Sequence, residues 1–272
     1  MLKSIILFSA PLSYARVAFF GDIMFSRGIK DEWVYDLEPC DLLSGFNSYF
    51  QEDMPKIANF ENPATGESPL HFGHKTFNAP LRFMSCVKKT FDLVSLANNH
   101  MMDQEAEGLR LTIENFDRYK IAHIGVGSNL KEAWDYEIIG EFAVIAASFT
   151  CYNFDTDKMC SEIARIDNDS DYLKRTIERI KRHHPEKIIT MYVHFGVEYD
   201  TYANILQIEY AHKVIDMGVE FVVGHHPHVA QEIEFYKGVP IFYSLGNAVF
   251  DQDWSTFTVE GLAIVAFTEF DE

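Results

Sequence analysis

The sequence predicts an α/β protein built around buried strands, and three observations carry that prediction. Short apolar runs of three to seven residues alternate with helical stretches along the chain. The polar residues able to do chemistry fall immediately after those runs. Finally, 47% hydrophobic and 14% aromatic residues in a chain of 272 supply ample material for a core.

The elements follow in order. Residues 1–15, MLKSIILFSAPLSYA, read as a compact export signal. Lys3 gives a positive start, Ile5 to Leu12 an apolar stretch, and Ser13-Tyr14-Ala15 a small-x-small cleavage site. The alternative is a buried first strand or docked terminal segment in a cytoplasmic protein. RVAFFGD then reads as a complete buried strand over Val17–Phe20. Further strands are expected at Lys56–Phe60, Leu93–Ala97, Ala122–Gly125, Ala143–Phe149, Ile188–His194, Phe221–Val223, Ile241–Leu245 and Leu262–Phe267. Gly108 to Tyr119 puts Leu109, Ile113 and Phe116 on one helical face, and Asp169 to His184 does the same for Leu173, Ile177 and Ile180. Tyr236-Lys237-Gly238 marks a hairpin, and polar Tyr152–Asn168 a long surface loop. With no repeat, low-complexity tract or Pro/Gly linker, residues 16–272 read as a single domain.

Charge and cysteine usage narrow the function. A net charge of −18 lacks the cationic footprint needed for nucleic acid or an anionic membrane. No apolar run reaches the roughly 18 residues of a transmembrane helix. Cys40, Cys86, Cys151 and Cys160 have no C-x-x-C spacing, which excludes a zinc ribbon and a disulfide-dense scaffold. In an exported chain Cys151 and Cys160 could form a loop disulfide.

Five strands end in groups that bind or react. These are Gly21-Asp22, Glu61-Asn62-Pro63, Asn98-Asn99-His100, His194-Phe195-Gly196 and Gly224-His225-His226-Pro227-His228. Strand C-terminal ends are where open α/β sheets place ligands. Singly, Gly-Asp can be an Asx turn, Asn-Asn-His a helix cap and His194 a core histidine. Three imidazoles in four positions are different: they are costly to bury without a partner, and a metal is the natural one. The donors form a carboxylate, amide and imidazole set without thiolate, which suits Mn, Zn, Fe or Mg. About six ligands exceed one tetrahedral ion and point to two divalent ions, which about 3.5–4 Å apart can clamp a phosphoryl group and activate water. They also give an acidic protein a positive field.

The segments GDIMFSRG (21–28), NFENPAT (59–65), FDLVSLANNHMMD (91–103), VHFGVEY (193–199) and the long run 218–252 together resemble the capsule synthesis protein CapA family. These are poly-γ-glutamate biosynthesis proteins related to the calcineurin-like metallophosphoesterases. The resemblance implies a four-layer αββα sandwich with its site at the strand C-termini. It implies Asp22, Glu61, Asn99, His194, His226 and His228 as metal ligands and His100 as the catalytic group near the leaving atom. His225 is an adjacent extra and, if the backbone there is extended, points the other way. Two positions depart from the phosphoesterase pattern: Met24 stands where a histidine is usual, and Glu61 replaces a bridging aspartate. Arg27 is expected either to bind a phosphate or carboxylate or to pair with surface acids. Asp103 and Asp251 are expected to hold loops or orient histidines.

The leading expectation is an exported, metal-dependent hydrolase of phosphoesterase type. It would work in synthesis, export or remodelling of an anionic capsule polymer such as poly-γ-glutamate, with a phosphoester or that polymer as substrate and a membrane capsule-synthesis complex as a partner. The alternative is a non-catalytic subunit that uses metal to hold or export the polymer. A cytoplasmic nucleotide phosphoesterase is a weaker third reading, because no Gly-rich phosphate loop is present.

Overall fold

The computed structural model describes residues 16–31, 40–51, 53–66, 69–70, 76–149, 163–166 and 170–267. Its strands are β1 (Arg16–Ile23), β2 (Lys56–Phe60), β3 (Leu93–Ser95), β4 (His123–Ile124), β5 (Tyr136–Ile139), β6 (Phe142–Ser148), β7 (Ile188–His194), β8 (Phe221–His225), β9 (Ile233–Tyr236), β10 (Val239–Phe242), β11 (Asn247–Val249) and β12 (Ile264–Phe267). Its helices are α1 (Arg27–Asp31), α2 (Ser44–Tyr49), α3 (Met84–Thr90), α4 (Glu105–Tyr119), α5 (Leu130–Ala133), α6 (Ser170–His183) and α7 (Ile205–Met217).

The strands form two six-stranded sheets. In the first, β1 to β4 run parallel in order, while β11 pairs parallel with the end of β1 and β12 antiparallel with its start. The second has the order β5-β6-β7-β8-β10-β9, with a parallel centre and an antiparallel strand at each edge.

Period-two alternation explains why the sheets stack and why helices cover them. On β6, Ala143, Ile145 and Ala147 join Leu173, Ile177 and Ile180 of α6 and Tyr210, Ala211 and Val214 of α7 in one apolar cluster. Phe142, Val144 and Ala146 turn the other way and join the first sheet. There Phe19 of β1 meets Phe142 at 5.6 Å and Phe221 at 5.4 Å between ring centroids. On the far side of the first sheet, Phe20 packs on Phe46 of α2, and Phe60 on Phe116 of α4. The result is four layers, α-β-β-α. No helix of the described residues is long and apolar enough to cross a membrane.

Several elements differ from the sequence expectation. The strand expected over Ile241–Leu245 lies instead at Val239–Phe242, and β11 starts directly after Gly246, whose φ is 70°. Half-exposed β5 and helix α7 have no counterpart among the expected elements; α7 carries exposed Ile205 and Leu206 in its first turn, which blurs its apolar face. A capping box of Asn204 and Gln207 starts α7, and Gly218 in the left-handed region ends it. Cys40 and Cys86, 46 residues apart, form a disulfide that ties the chain before α2 to α3. Cys151 and Cys160, residues 1–15 and most of the loop expected at 152–168 lie outside the described residues.

Candidate metal centre

Strand parity delivers the site. On β7, Ile189, Met191 and Val193 face the helices, so Tyr192 and His194 face between the sheets. On β8, Phe221, Val223 and therefore His225 do the same. Phe60 of β2 packs on α4, leaving Asn59 and Glu61 to face the second sheet.

Asp22 reaches the site by a different device. Simple alternation would put it beside Phe20, on the helix side. The β1–β2 register advances three residues on β1, from Phe19 to Asp22, while β2 advances two, from Ile57 to Asn59. This one-residue bulge reverses the parity and aims Asp22 inward. Gly21 sits in the bulge because the backbone of Gly246 passes there: an added Cβ would lie 1.8 Å from the Gly246 carbonyl oxygen. Asp22 is therefore a residue within β1 and not an Asx turn after it.

Past β8 the chain is no longer extended. His226 has a φ of 103° and His228 a φ of 60°. These left-handed residues let His225, His226 and His228 all face one centre, where continued alternation would have turned His225 away. The His226 amide donates to Asp22 Oδ2 at 3.0 Å and locks this turn to β1.

Two triads result. Asp22, His194 and His225 present ligand atoms within 4.8 Å of one another, and so do Glu61, His226 and His228. His194 Nε2 donates to Asn99 Oδ1 at 2.7 Å, which leaves Nδ1 as a lone pair 2.8 Å from His225 Nδ1. His228 Nδ1 donates to Asn247 Oδ1 at 2.9 Å, which leaves its Nε2 3.7 Å from Glu61 Oε1.

The donors fit metal. Both Glu61 oxygens, His225 Nε2 and His226 Nδ1 are buried without a hydrogen-bond partner among the described residues, an arrangement that is costly without a ligand. Burial, with Asp22 adding to it, pushes the Glu61 carboxyl well above the usual range. Burial also opposes ionisation of Asp22, but the imidazoles of His225 and His228 facing it outweigh that and hold the carboxyl well below the usual range. Burial lowers His194 and His225, and it pushes His226 down to about 3. These imidazoles are thus neutral at pH 7, the form that ligates, and a divalent ion would restore Glu61 to its anion.

The remaining expected residues are placed as follows. Asn99 lies in the cluster, on the 3-10 turn Asn99–Met102. The capping alternative is not realised: Asn98 starts this turn without a side-chain cap bond. His100 Nε2 faces Glu61 Oε1 at 3.9 Å, its Nδ1 donates to Asp103 Oδ2 at 2.7 Å, and its ring stacks on Phe77 at 3.8 Å. Asp103 also accepts the Phe77 amide at 2.7 Å. Arg27 makes a two-pronged pair with Asp251 and lies 4.6 Å over Phe77 and 5.5 Å over Phe250. Phe77 backs His100 and Phe250 backs His228, so Arg27 stands behind both rings with its side chain 36% exposed.

Two supporting residues, Asn59 and Asn247, escaped the sequence reading, and Asn98 figures there only as one of the strand-end groups. Asn59 donates to Asp22 Oδ1 at 2.8 Å, Asn98 donates to Asn59 Oδ1 at 3.2 Å, and Asn247 holds His228. The available signal was a lone amide inside an apolar strand, as in KIANF.

Fold and site together define a two-sheet α/β sandwich carrying clustered groups able to hold metal ions. The chain belongs to the bacterial capsule synthesis protein PGA_cap family, whose profile matches residues 16–252. The capsule biosynthesis protein CapA of Bacillus anthracis is 30% identical over 248 residues, covering 86% of this chain and 59% of that protein. The PGA biosynthesis protein CapA of Bacillus subtilis is 31% identical over 248 residues, covering 88% and 64%. The chain thus spans about three fifths of the length of these curated relatives. A probable polyglutamine synthesis accessory protein of Mycobacterium tuberculosis is 27% identical over 173 residues, covering 58% and 45%. Among solved structures, a hypothetical protein of Thermus thermophilus overlays with a TM-score of 0.48 and 16% identity, covering 88% of this chain and 79% of that one.

Proposed function

We propose that this protein is a metal-dependent hydrolase of phosphoesterase type, acting in synthesis, export or remodelling of an anionic capsule polymer. The observation that carries the proposal is the pair of adjacent carboxylate–imidazole triads with unpartnered donor atoms between them. Asp22, His194 and His225 would hold one divalent ion, and Glu61, His226 and His228 the other. Divalent ions, when bound, activate water and stabilise a developing oxyanion. Asp103 accepts from His100 Nδ1 while Nε2 faces Glu61, so the protonated ring would hand its Nε2 proton to the leaving oxygen. Phe77, stacked on that ring, holds its plane and keeps water from its face. The capsule and PGA biosynthesis relatives support a polymer context. The Cys40–Cys86 disulfide supports an oxidising, extracytoplasmic location.

The test is turnover of an aryl phosphoester with added Mn by the purified protein. His100→Asn should lower it by about 10²–10⁴-fold while metal content and melting temperature stay unchanged. Unchanged turnover in that variant would remove His100 from the chemistry.

One observation favours the second reading, a non-catalytic subunit that holds polymer through metal. Met24, at the position where a metal-binding histidine is usual, is buried, and its sulfur accepts the Ser26 amide at 2.8 Å. A metal-loaded parent protein without turnover would favour this reading.

A further inference from the structure

We propose that α6 and the residues following it form a docking strip for a polycarboxylate chain, lying along the helix-covered side of the second sheet and ending in a recess at the pole opposite the metal centre. Residues 174–187 hold six of the 23 Lys and Arg but only two of the 41 acids, a local charge of +4 in a chain of net charge −18. Such a concentration of one sign gives a local attractive field for the opposite one. Two of the six are already neutralised: Arg179 pairs with Asp135 and Lys187 with Glu141. Lys174, Arg175, Lys181 and Arg182 are exposed and make no ion pair among the described residues.

A polymer chain fits this strip better than a lipid surface does, for two reasons. The apolar face of α6, formed by Leu173, Ile177 and Ile180, is consumed by the core, so no apolar side remains to enter a bilayer. The strip also runs into a cavity of about 280 Å³, lined by Lys181, His184, Lys187, Gly218 and Glu220 among others. A recess of that kind admits the side groups of a flexible chain and is out of reach of a flat headgroup layer. Glu220 in its wall is occupied, accepting the Ile189 amide at 3.1 Å.

The recess lies at the start of β7, and His194 lies at its end. At about 3.3 Å per residue, β7 separates the two by about 20 Å. The recess is therefore distinct from the site, and α6 runs from it back along the helix side of the second sheet toward the end of β7 where the metal centre lies. This inference rests on the capsule-polymer reading for its choice of polymer and is independent of the metal chemistry.

The experiment is fluorescence anisotropy of labelled poly-γ-glutamate with the full chain, at low and high NaCl. Binding should weaken with salt, because exposed charges are screened. The set K174Q/R175Q/K181Q/R182Q should bind at least about tenfold more weakly, the equivalent of 1.4 kcal/mol spread over four contacts. Its metal content and melting temperature should be unchanged, and K88Q/K89Q on α3 should bind as the parent does. Binding by the fourfold variant within twofold of the parent would overturn the proposal. So would stronger binding to anionic phosphatidylglycerol vesicles or to RNA than to the polymer. Asp22→Asn separates the two readings: lost metal with polymer binding kept supports the strip, whereas lost polymer binding places the polymer at the metal centre and overturns it.

Discussion

At the scale of residues, the centre is held by amides as much as by its ligands. Asn247 sets the tautomer of His228 by accepting from Nδ1, and Asn59 braces Asp22 Oδ1 while being held by Asn98. Groups of this kind orient ligands without touching the ion, and losing one typically costs 10–100-fold in metal affinity. Asn247→Ala should therefore weaken metal binding by about 10–100-fold in a chelator competition titration, with the fold retained; an unchanged affinity would mean that packing alone holds His228. His225→Ala should lower bound metal, as should His226→Ala, because each ring belongs to one of the two triads. A full metal complement in either variant would remove that ring from the ligand set. Asp22, Glu61, Asn99, His100, His194, His226 and His228 were legible in the sequence because each ends or follows an apolar run. The supporting amides were not, since an Asn inside or beside a strand has many uses and only its partner reveals which.

Elements decide where those residues point, and here sequence reasoning reached its limit for physical reasons. The strand expected over Ile188–His194 matches β7, and unbroken alternation along it turns His194 inward. Periodicity could not foresee how Asp22 comes to face inward, since a one-residue bulge leaves no trace in composition. The outward direction expected for His225 was conditional on an extended chain through His228, a condition not met because positive φ falls on His226 and His228. The bulge offers a sharp test. Gly21→Ala would drive a methyl group into the Gly246 carbonyl, and it should destabilise the protein by about 3 kcal/mol in urea unfolding, the upper range for overpacking. Gly45→Ala, in α2 with open space around it, should be neutral or stabilise by up to about 1 kcal/mol. Equal effects at the two positions would mean that the close approach of β1 to Gly246 is not rigid.

Across the whole molecule, the two-sheet sandwich brings ligands from both sheets to one edge, so the centre itself ties the layers together. The disulfide adds a separate constraint. A loop of 46 residues closed by Cys40–Cys86 stabilises by roughly 4 kcal/mol on the chain-entropy account. The double variant Cys40→Ala/Cys86→Ala should lose about 2–4 kcal/mol while keeping its metal, and an unchanged melting temperature would contradict that pairing. Nothing in four widely spaced cysteines disclosed which two would pair. The acidic surface and the buried carboxylates both make the apo-protein the less stable form, so chelation should lower the melting temperature; saturation at about 100 times Kd contributes about 2.7 kcal/mol. Everything proposed for the centre depends on the two triads binding divalent ions. Elemental analysis of the purified full-length chain, before chelation and after reloading with Mn or Zn, tests this most directly. Up to two equivalents are expected in the parent protein, with loss of metal in Asp22→Asn and Glu61→Gln. Parent protein that stays metal-free after reloading, or variants that retain the full complement, would contradict it.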